Sequence, residues 1–127
     1  MKCVSTVKYR FKLNGSLTEE VIPERGLRQG DPISPYLFMI CVEAFSSMLN
    51  QADQNGSLEG IKICHGAPSF NHLLFADDSL ILLKVSEDSA RHLQNILNLY
   101  EVCSGQTINV DKSSIVFSKN TKRWDKK

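Results

Sequence analysis

Two apolar runs bracket a pair of acids in this chain. Asn71-His72-Leu73-Leu74 precedes Phe75-Ala76-Asp77-Asp78, and Ser79-Leu80-Ile81-Leu82-Leu83 follows. Runs of this length, rich in strand formers and broken by a short polar step, specify a β-hairpin over 71–83 with carboxylates at its tip. Taken alone, two aspartates in a turn are ordinary turn chemistry. Held together on a rigid hairpin they match the needs of Mg²⁺, which binds through one or two carboxylates plus substrate phosphates. Side chains alternate along a strand, so Phe75 and Asp77 are expected to share a side, with Asp78 directed elsewhere. That alternation makes Asp77 the principal candidate metal ligand and Asp78 the auxiliary one.

The remaining periodicity places the hairpin in an α+β chain. Residues 3–13 and 17–23 read as strands joined at Asn14-Gly15-Ser16, a hairpin turn signal. Ser34-Pro35 opens a helix, since the residue before proline is extended, as an N-cap requires, and proline suits the first helical turn. Leu37, Phe38, Cys41, Ala44, Phe45, Met48 and Leu49 follow at helical spacing, and 36–42 is apolar on almost every side, which predicts burial on more than one face. The polar stretch 50–60 reads as a loop, 61–64 as a short strand and Gly66-Ala67-Pro68 as a turn. A second helix is expected over about 87–104, its buried stripe formed by Ala90, Leu93, Ile96, Leu97, Tyr100 and Cys103, with Gly105 just past its end. Strands at 108–110 and 115–117 complete the order ββ-α-β-ββ-α-ββ, an antiparallel sheet with two main helices on one face.

Charge and cysteine usage narrow the class further. With 127 residues there is enough chain for one core. The formal net charge of +1 is uninformative, but its distribution is not. Residues 1–30 hold six Lys/Arg against three acids and 112–127 hold six against one, while 31–111 hold three against ten. Basic ends around an acidic centre suit a groove that tracks a nucleic-acid backbone beside a metal site, although 119–127 reads more simply as a polar, solvated tail. Cys3, Cys41, Cys64 and Cys103 show no zinc-type spacing, and Cys41 and Cys103 fall at apolar helical positions expected to be reduced and buried. No segment has the apolar length of a membrane span, and 1–25 lacks a signal-peptide core.

Three blocks together resemble one family. Arg25-Gly26-Leu27-Arg28-Gln29-Gly30-Asp31-Pro32-Ile33-Ser34-Pro35-Tyr36-Leu37-Phe38 is similar to the template- and nucleotide-contacting motif of non-LTR (LINE-type) reverse transcriptases, plant elements in particular. Phe75-Ala76-Asp77-Asp78 resembles their catalytic acidic hairpin. Ser104-Gly105-Gln106-Thr107-Ile108-Asn109-Val110-Asp111-Lys112-Ser113 is similar to their next motif. The resemblance covers residues 1–118, which it implies are a partial palm domain, and leaves 119–127 as a basic tail. It implies that Asp77 and Asp78 are catalytic metal ligands for Mg²⁺. Arg28, Gln29 and Gly30 are implied to meet the RNA template or incoming nucleotide. Lys112 is implied to place a cation near the leaving pyrophosphate, with general-acid chemistry as an extension; a plain strand-start lysine is the alternative. Glycines at 26 and 30 fit the first block, because they let backbone approach a ligand closely.

The family also uses a third carboxylate, from an upstream motif of the form Asp-x-x-x-Ala-Phe-Asp, and no such motif occurs in these 127 residues. Residues 1–13 resemble the segment that follows it. Met1 is therefore expected to be an internal methionine of a remnant that is inactive alone and weak in metal affinity. Two alternatives stand beside that expectation: a piece of a split polymerase completed by a partner fragment, and a non-catalytic nucleic-acid-binding module. The resemblance implies RNA template, DNA primer and dNTP as partners in the parent family, with no membrane. A mitochondrial open reading frame is the expected origin, with the nucleus as the alternative.

Overall fold

The computed structural model describes residues 6–23 and 30–121. Its elements follow the order ββ-α-ββ-α, and the chain divides into two compact units, residues 1–38 and 39–127.

In the first unit, β1 (Lys12–Leu13) and β2 (Ser16–Leu17) pair antiparallel in the register Lys12↔Leu17 and Leu13↔Ser16. Asn14 and Gly15 alone make the turn, with φ of 50° and 88°. Positive φ at both central residues is the type I′ pattern, whose twist matches that of the strands. Farther from the turn, Tyr9 pairs with Val21 through two hydrogen bonds of 2.9 and 2.8 Å. Thr18 N–H donates to the Phe11 carbonyl at 2.8 Å, so three residues on the second strand oppose two on the first. This is a β-bulge, and the Thr18 hydroxyl meets the need it creates by accepting from Phe11 N–H at 2.9 Å. Glu20, within the bulge, pairs with both Lys8 and Arg10 at 2.8 Å.

The first helix, α1 (Ser34–Gln54), starts from a turn in which Asp31 accepts twice, from Ile33 N–H through its side chain and from Ser34 N–H through its carbonyl. Leu37 N–H reaches the Ile33 carbonyl at 3.1 Å, so the first helical bond begins one residue before the serine cap expected from the sequence. The helix also runs past Leu49 to Gln54, into the first five residues of the segment read as loop, while 55–60 remains non-helical. Ala52 continues the buried stripe of Phe45 and Leu49, and nothing breaks the turn until Gly56. There the chain closes in a Schellman motif: Gly56, at φ 72°, donates to the Asp53 carbonyl, and Ser57 N–H reaches back to the Ala52 carbonyl at 2.9 Å.

The second unit contains the core. Phe45, Leu49 and Ala52 of α1 are buried with Leu58, and Leu74, Ile81, Leu83, Leu93, Ile96, Leu97 and Tyr100 pack around them. Strands β3 (His72–Phe75) and β4 (Asp78–Ile81) form an antiparallel pair whose Leu74 and Ile81 face this core. The second helix, α2 (Glu87–Ser104), covers the other side. Ser86, extended at φ −154° and ψ 154°, caps it by accepting from Ser89 N–H at 3.0 Å. Gly105, at φ 69°, ends it by donating to the Glu101 carbonyl at 2.9 Å.

The α+β class and the two helices therefore hold, with the strands organised as two separate two-stranded sheets. Several finer expectations change. Residues 61–64 contribute only one bridge, Ile61↔Phe70, and 108–110 and 115–117 form no strands. Apolar, β-branched residues make a strand only where another strand presents its backbone, and Ile115 and Val116 are 83% and 89% exposed. Val110–Lys112 forms a 3-10 turn instead. Tyr36, Met39 and Ile40 are exposed, so the apolar first turns of α1 are not buried on all sides. Cys103 and Ala90 are exposed because the α2 stripe that meets the core is the narrower set Leu93, Ile96, Leu97 and Tyr100, and Cys41, on α1, is half-buried outside that helix's buried set of Phe45, Leu49 and Ala52. Cys3, Arg28 and Gln29 lie outside the described residues, as does most of the basic tail.

Candidate functional site: an acid-tipped hairpin

The tip is a two-residue turn. Phe75 pairs with Asp78, so Ala76 and Asp77 alone connect the strands. Ala76 has a φ of 51° and Asp77 is not in the positive-φ region, the combination of a type II′ hairpin turn. Both aspartates are exposed. Among the described residues, neither carboxylate takes part in a hydrogen bond or ion pair, which leaves their oxygens available to a ligand.

The pairing corrects the expected orientation. Directly paired residues lie on the same face of an antiparallel ladder. Asp78 thus shares its face with Phe75, Leu73 and Leu80, opposite the face of His72, Leu74, Ser79 and Ile81. Strand alternation stops at Phe75 because the turn intervenes, so parity gives Asp77 no precedence over Asp78. The outer face carrying Asp78 is apolar and open: Phe75 is 81% exposed, and Leu73 and Leu80 are more than half exposed.

Polar side chains at the hairpin base tie it to α1. Asn71 is buried, donates from Nδ2 to the Leu49 carbonyl at 3.0 Å, and meets His72 Nδ1 through Oδ1. His72 Nε2 contacts Ser46 Oγ at 2.8 Å. Leu82 N–H donates to the Asn71 carbonyl at 2.8 Å, extending the ladder one step beyond the strands. Burial pushes the His72 imidazole below its ordinary pKa, since the charged ring is poorly solvated there. Sequence reading passed over these residues. The available signal was two polar side chains, Asn71 and His72, at the start of an apolar strand, where a buried polar group must find a partner.

The other candidate residues stand on separate elements. Gly30, at φ 81°, opens the turn into α1 and belongs to the first unit, while Asp77 and Asp78 belong to the second. Lys112 is exposed in the 3-10 turn after α2. Asn109 shapes that turn, accepting from Lys112 N–H at its side chain and from the Ser113 hydroxyl at its carbonyl. The Asn-x-x-Lys-Ser spacing thus has a local structural explanation: the asparagine caps the turn that presents the lysine. Among the described residues, no three His, Cys, Asp or Glu side chains gather to hold a metal, so the hairpin tip offers a two-carboxylate site at most.

The candidate site is thus an exposed, paired-acid hairpin whose inner face packs with α1 and α2. Residues 1–124 match the reverse transcriptase (RNA-dependent DNA polymerase) family, and the chain belongs to that family. It is 51% identical over 69 residues to an uncharacterized mitochondrial protein of Arabidopsis thaliana, covering 54% of this chain and 57% of the relative. It is 26% identical over 116 residues to a retrovirus-related Pol polyprotein from type-1 retrotransposable element R2 of Popillia japonica, covering 91% of this chain and 18% of the polyprotein. A second such polyprotein from the same organism is 31% identical over 99 residues, 78% of this chain and 13% of its own length. The chain therefore spans little more than half of one relative and under a fifth of the others. No solved structure gives a significant match.

Proposed function

We propose that this chain is part of the palm of a LINE-type RNA-directed DNA polymerase, and that Asp77 and Asp78 are its divalent-metal ligands. The observation that carries the reading is the turn itself: in a chain of the reverse transcriptase family, it presents two solvent-accessible carboxylates, without a partner among the described residues, from a hairpin fixed to a helical core. Hard, anionic oxygens of this kind fit Mg²⁺. Such an ion supplies charge stabilisation for in-line phosphoryl transfer. In this reading Arg28, Gln29 and Gly30 contact RNA template or nucleotide, and Lys112 lies toward the leaving group. Two carboxylates, with no third acid gathered beside them among the described residues, leave most of the ion's coordination to water, so binding by the isolated chain is weak, on the order of millimolar. Polymerisation by the chain alone is not expected. The mitochondrial relative makes that organelle our preferred location.

A second reading, a polymerase piece completed by another chain, draws on the open apolar face of Leu73, Phe75 and Leu80 beside Asp78. An NMR titration with Mn²⁺ tests the metal assignment. Broadening should begin at Ala76 to Ser79 and weaken in Asp77→Asn and Asp78→Asn. Broadening that begins at Glu19-Glu20 or Glu87-Asp88, with the tip untouched, overturns it.

A further inference from the structure

The chain Ser46–His72–Asn71–Leu49 has a hydrogen-bond polarity that can be read from one end to the other. The Leu49 carbonyl can only accept, so the Asn71 group 3.0 Å from it is the amide nitrogen. The Asn71 oxygen then faces His72 Nδ1, and because that oxygen also only accepts, Nδ1 carries the ring proton. Nε2 is left with its lone pair, and the Ser46 hydroxyl 2.8 Å away donates to it. Every bond in the chain is satisfied by one tautomer of a neutral imidazole.

The connectivity has the order of a nucleophile, a base and an orienting amide, but the surroundings exclude acyl transfer. An oxyanion needs free donors beside the nucleophile. Ser46 sits in the interior of α1, where backbone N–H groups are consumed by the helix ladder. The arrangement instead joins a helix side chain and a helix carbonyl to the first strand of the acidic hairpin. Ser46 and Leu49 lie one turn apart on α1, and Asn71 and His72 are adjacent, so a slip of one residue breaks both attachments.

We propose that Ser46, Asn71 and His72 form a polar latch that sets the height of the acidic hairpin along α1, firm while His72 is neutral and slack once it is protonated. Protonation puts hydrogens on both ring nitrogens, so the Ser46–Nε2 bond must reverse, with Ser46 Oγ accepting, and a charge is left in a half-buried site. Among the described residues, no carboxylate compensates for it. On α1 the titratable groups are Tyr36, Cys41, Glu43 and Asp53, the last engaged with Gly60 N–H. On β4 there is Asp78, on the opposite face. In the connecting segments Glu59 pairs with Lys84. On α2, Glu87 and Asp88 pair with Arg91, His92 meets the Asp88 carbonyl, Glu101 accepts from Ile108 N–H, and Tyr100 donates to Gln106. Burial alone acts on His72, and it favours the neutral ring. The folded pKa therefore lies below the unfolded one, and the latch contributes stability that is complete above the unfolded value of 6.5 and falls away as pH drops through the folded value. This seating is independent of whether the tip binds a metal.

The test uses the full chain, labelled with ¹⁵N. At about pH 7.5, two-bond ring couplings should report the Nδ1–H tautomer of His72; a dominant Nε2–H tautomer overturns the proposal. Amide exchange is then compared at about pH 7.5 and pH 5, corrected for intrinsic rates. Amides of 72–81 should lose protection relative to those of α2, by about tenfold for each unit separating the folded and unfolded pKa values. His72→Gln supplies an uncharged donor and acceptor, and should keep hairpin protection and abolish the acid effect. An unchanged acid effect in that variant, or equal loss across hairpin and α2, refutes the latch. If His72→Gln does not fold, Ser46→Ala decides: lowered hairpin protection near neutral pH supports the proposal, and wild-type protection overturns it.

Discussion

Gly60 offers a quantitative check on how the hairpin base is assembled. A Cβ built on this residue lies 2.5 Å from Ser69 Oγ, 2.6 Å from the Phe70 carbonyl oxygen and 2.9 Å from its carbon. The serine hydroxyl can rotate away. The Phe70 carbonyl cannot, because it accepts from Ile61 N–H at 2.8 Å, one of two bonds in the Ile61↔Phe70 bridge. Gly60→Ala must therefore compress the contact, at about 1–3 kcal/mol for an overpacked site, or open the bridge, at about 0.5–1.5 kcal/mol per hydrogen bond. Opening the bridge relieves the compression, so the costs are alternatives and the cheaper one is taken. Replacing glycine also restricts the unfolded chain, which returns about 0.4–1 kcal/mol. The expected net destabilisation is about 1–2 kcal/mol. Urea unfolding followed by far-ultraviolet circular dichroism measures it. Adding Ser69→Ala should recover only part of the loss, since the backbone contact remains. A Gly60→Ala chain as stable as the parent, or full recovery in the double variant, refutes the argument.

Other substitutions probe the core, a helix cap and the proposed activity. Leu49→Ala removes a fully buried side chain and should cost about 2–5 kcal/mol, whereas Leu73→Ser, on the open face of the hairpin, should stay within about 0.5 kcal/mol; similar losses in chemical denaturation contradict the assignment of faces. Ser86→Ala deletes the α2 cap and should cost about 1 kcal/mol, with faster amide exchange at Ser89; unchanged exchange there removes the cap from the account. In primer extension on poly-rA/oligo-dT with Mg²⁺ or Mn²⁺, the chain alone should incorporate nothing. Template-dependent incorporation lost in Asp77→Asn would show that two carboxylates suffice.

Legibility in the sequence followed how local the determining physics is. The α2 boundaries were readable because Ser86 and Gly105 act within one turn of themselves. The Asn14-Gly15 turn and the existence of the hairpin over 71–83 were readable because short apolar flanks with a polar break leave few other arrangements. The far end of α1 was misjudged because polarity after Leu49 resembles a loop, while Ala52 keeps the stripe buried and Gly56 alone supplies the stop. Strands at 108–110 and 115–117 failed for a nonlocal reason, since no residue type there carries information about a pairing partner. At the candidate site, the two acids and their hairpin were visible, while the face of Asp78 was not, because it depends on how many residues the turn consumes. The Ser46–His72 contact spans 26 residues and leaves no periodic trace.

The alanine at the hairpin tip bears on motion as well as shape. At φ 51°, Ala76 occupies a region that glycine enters freely and a residue with a Cβ enters at a cost of about 1–2 kcal/mol. What glycine would gain in ease it would lose in aim, because its backbone can wander through conformations closed to alanine. The methyl group narrows the arc through which the peptide plane ahead of Asp77 can swing. A tip built this way behaves less like a hinge than like a bracket: two exposed carboxylates are carried on a mount that has given up its own freedom.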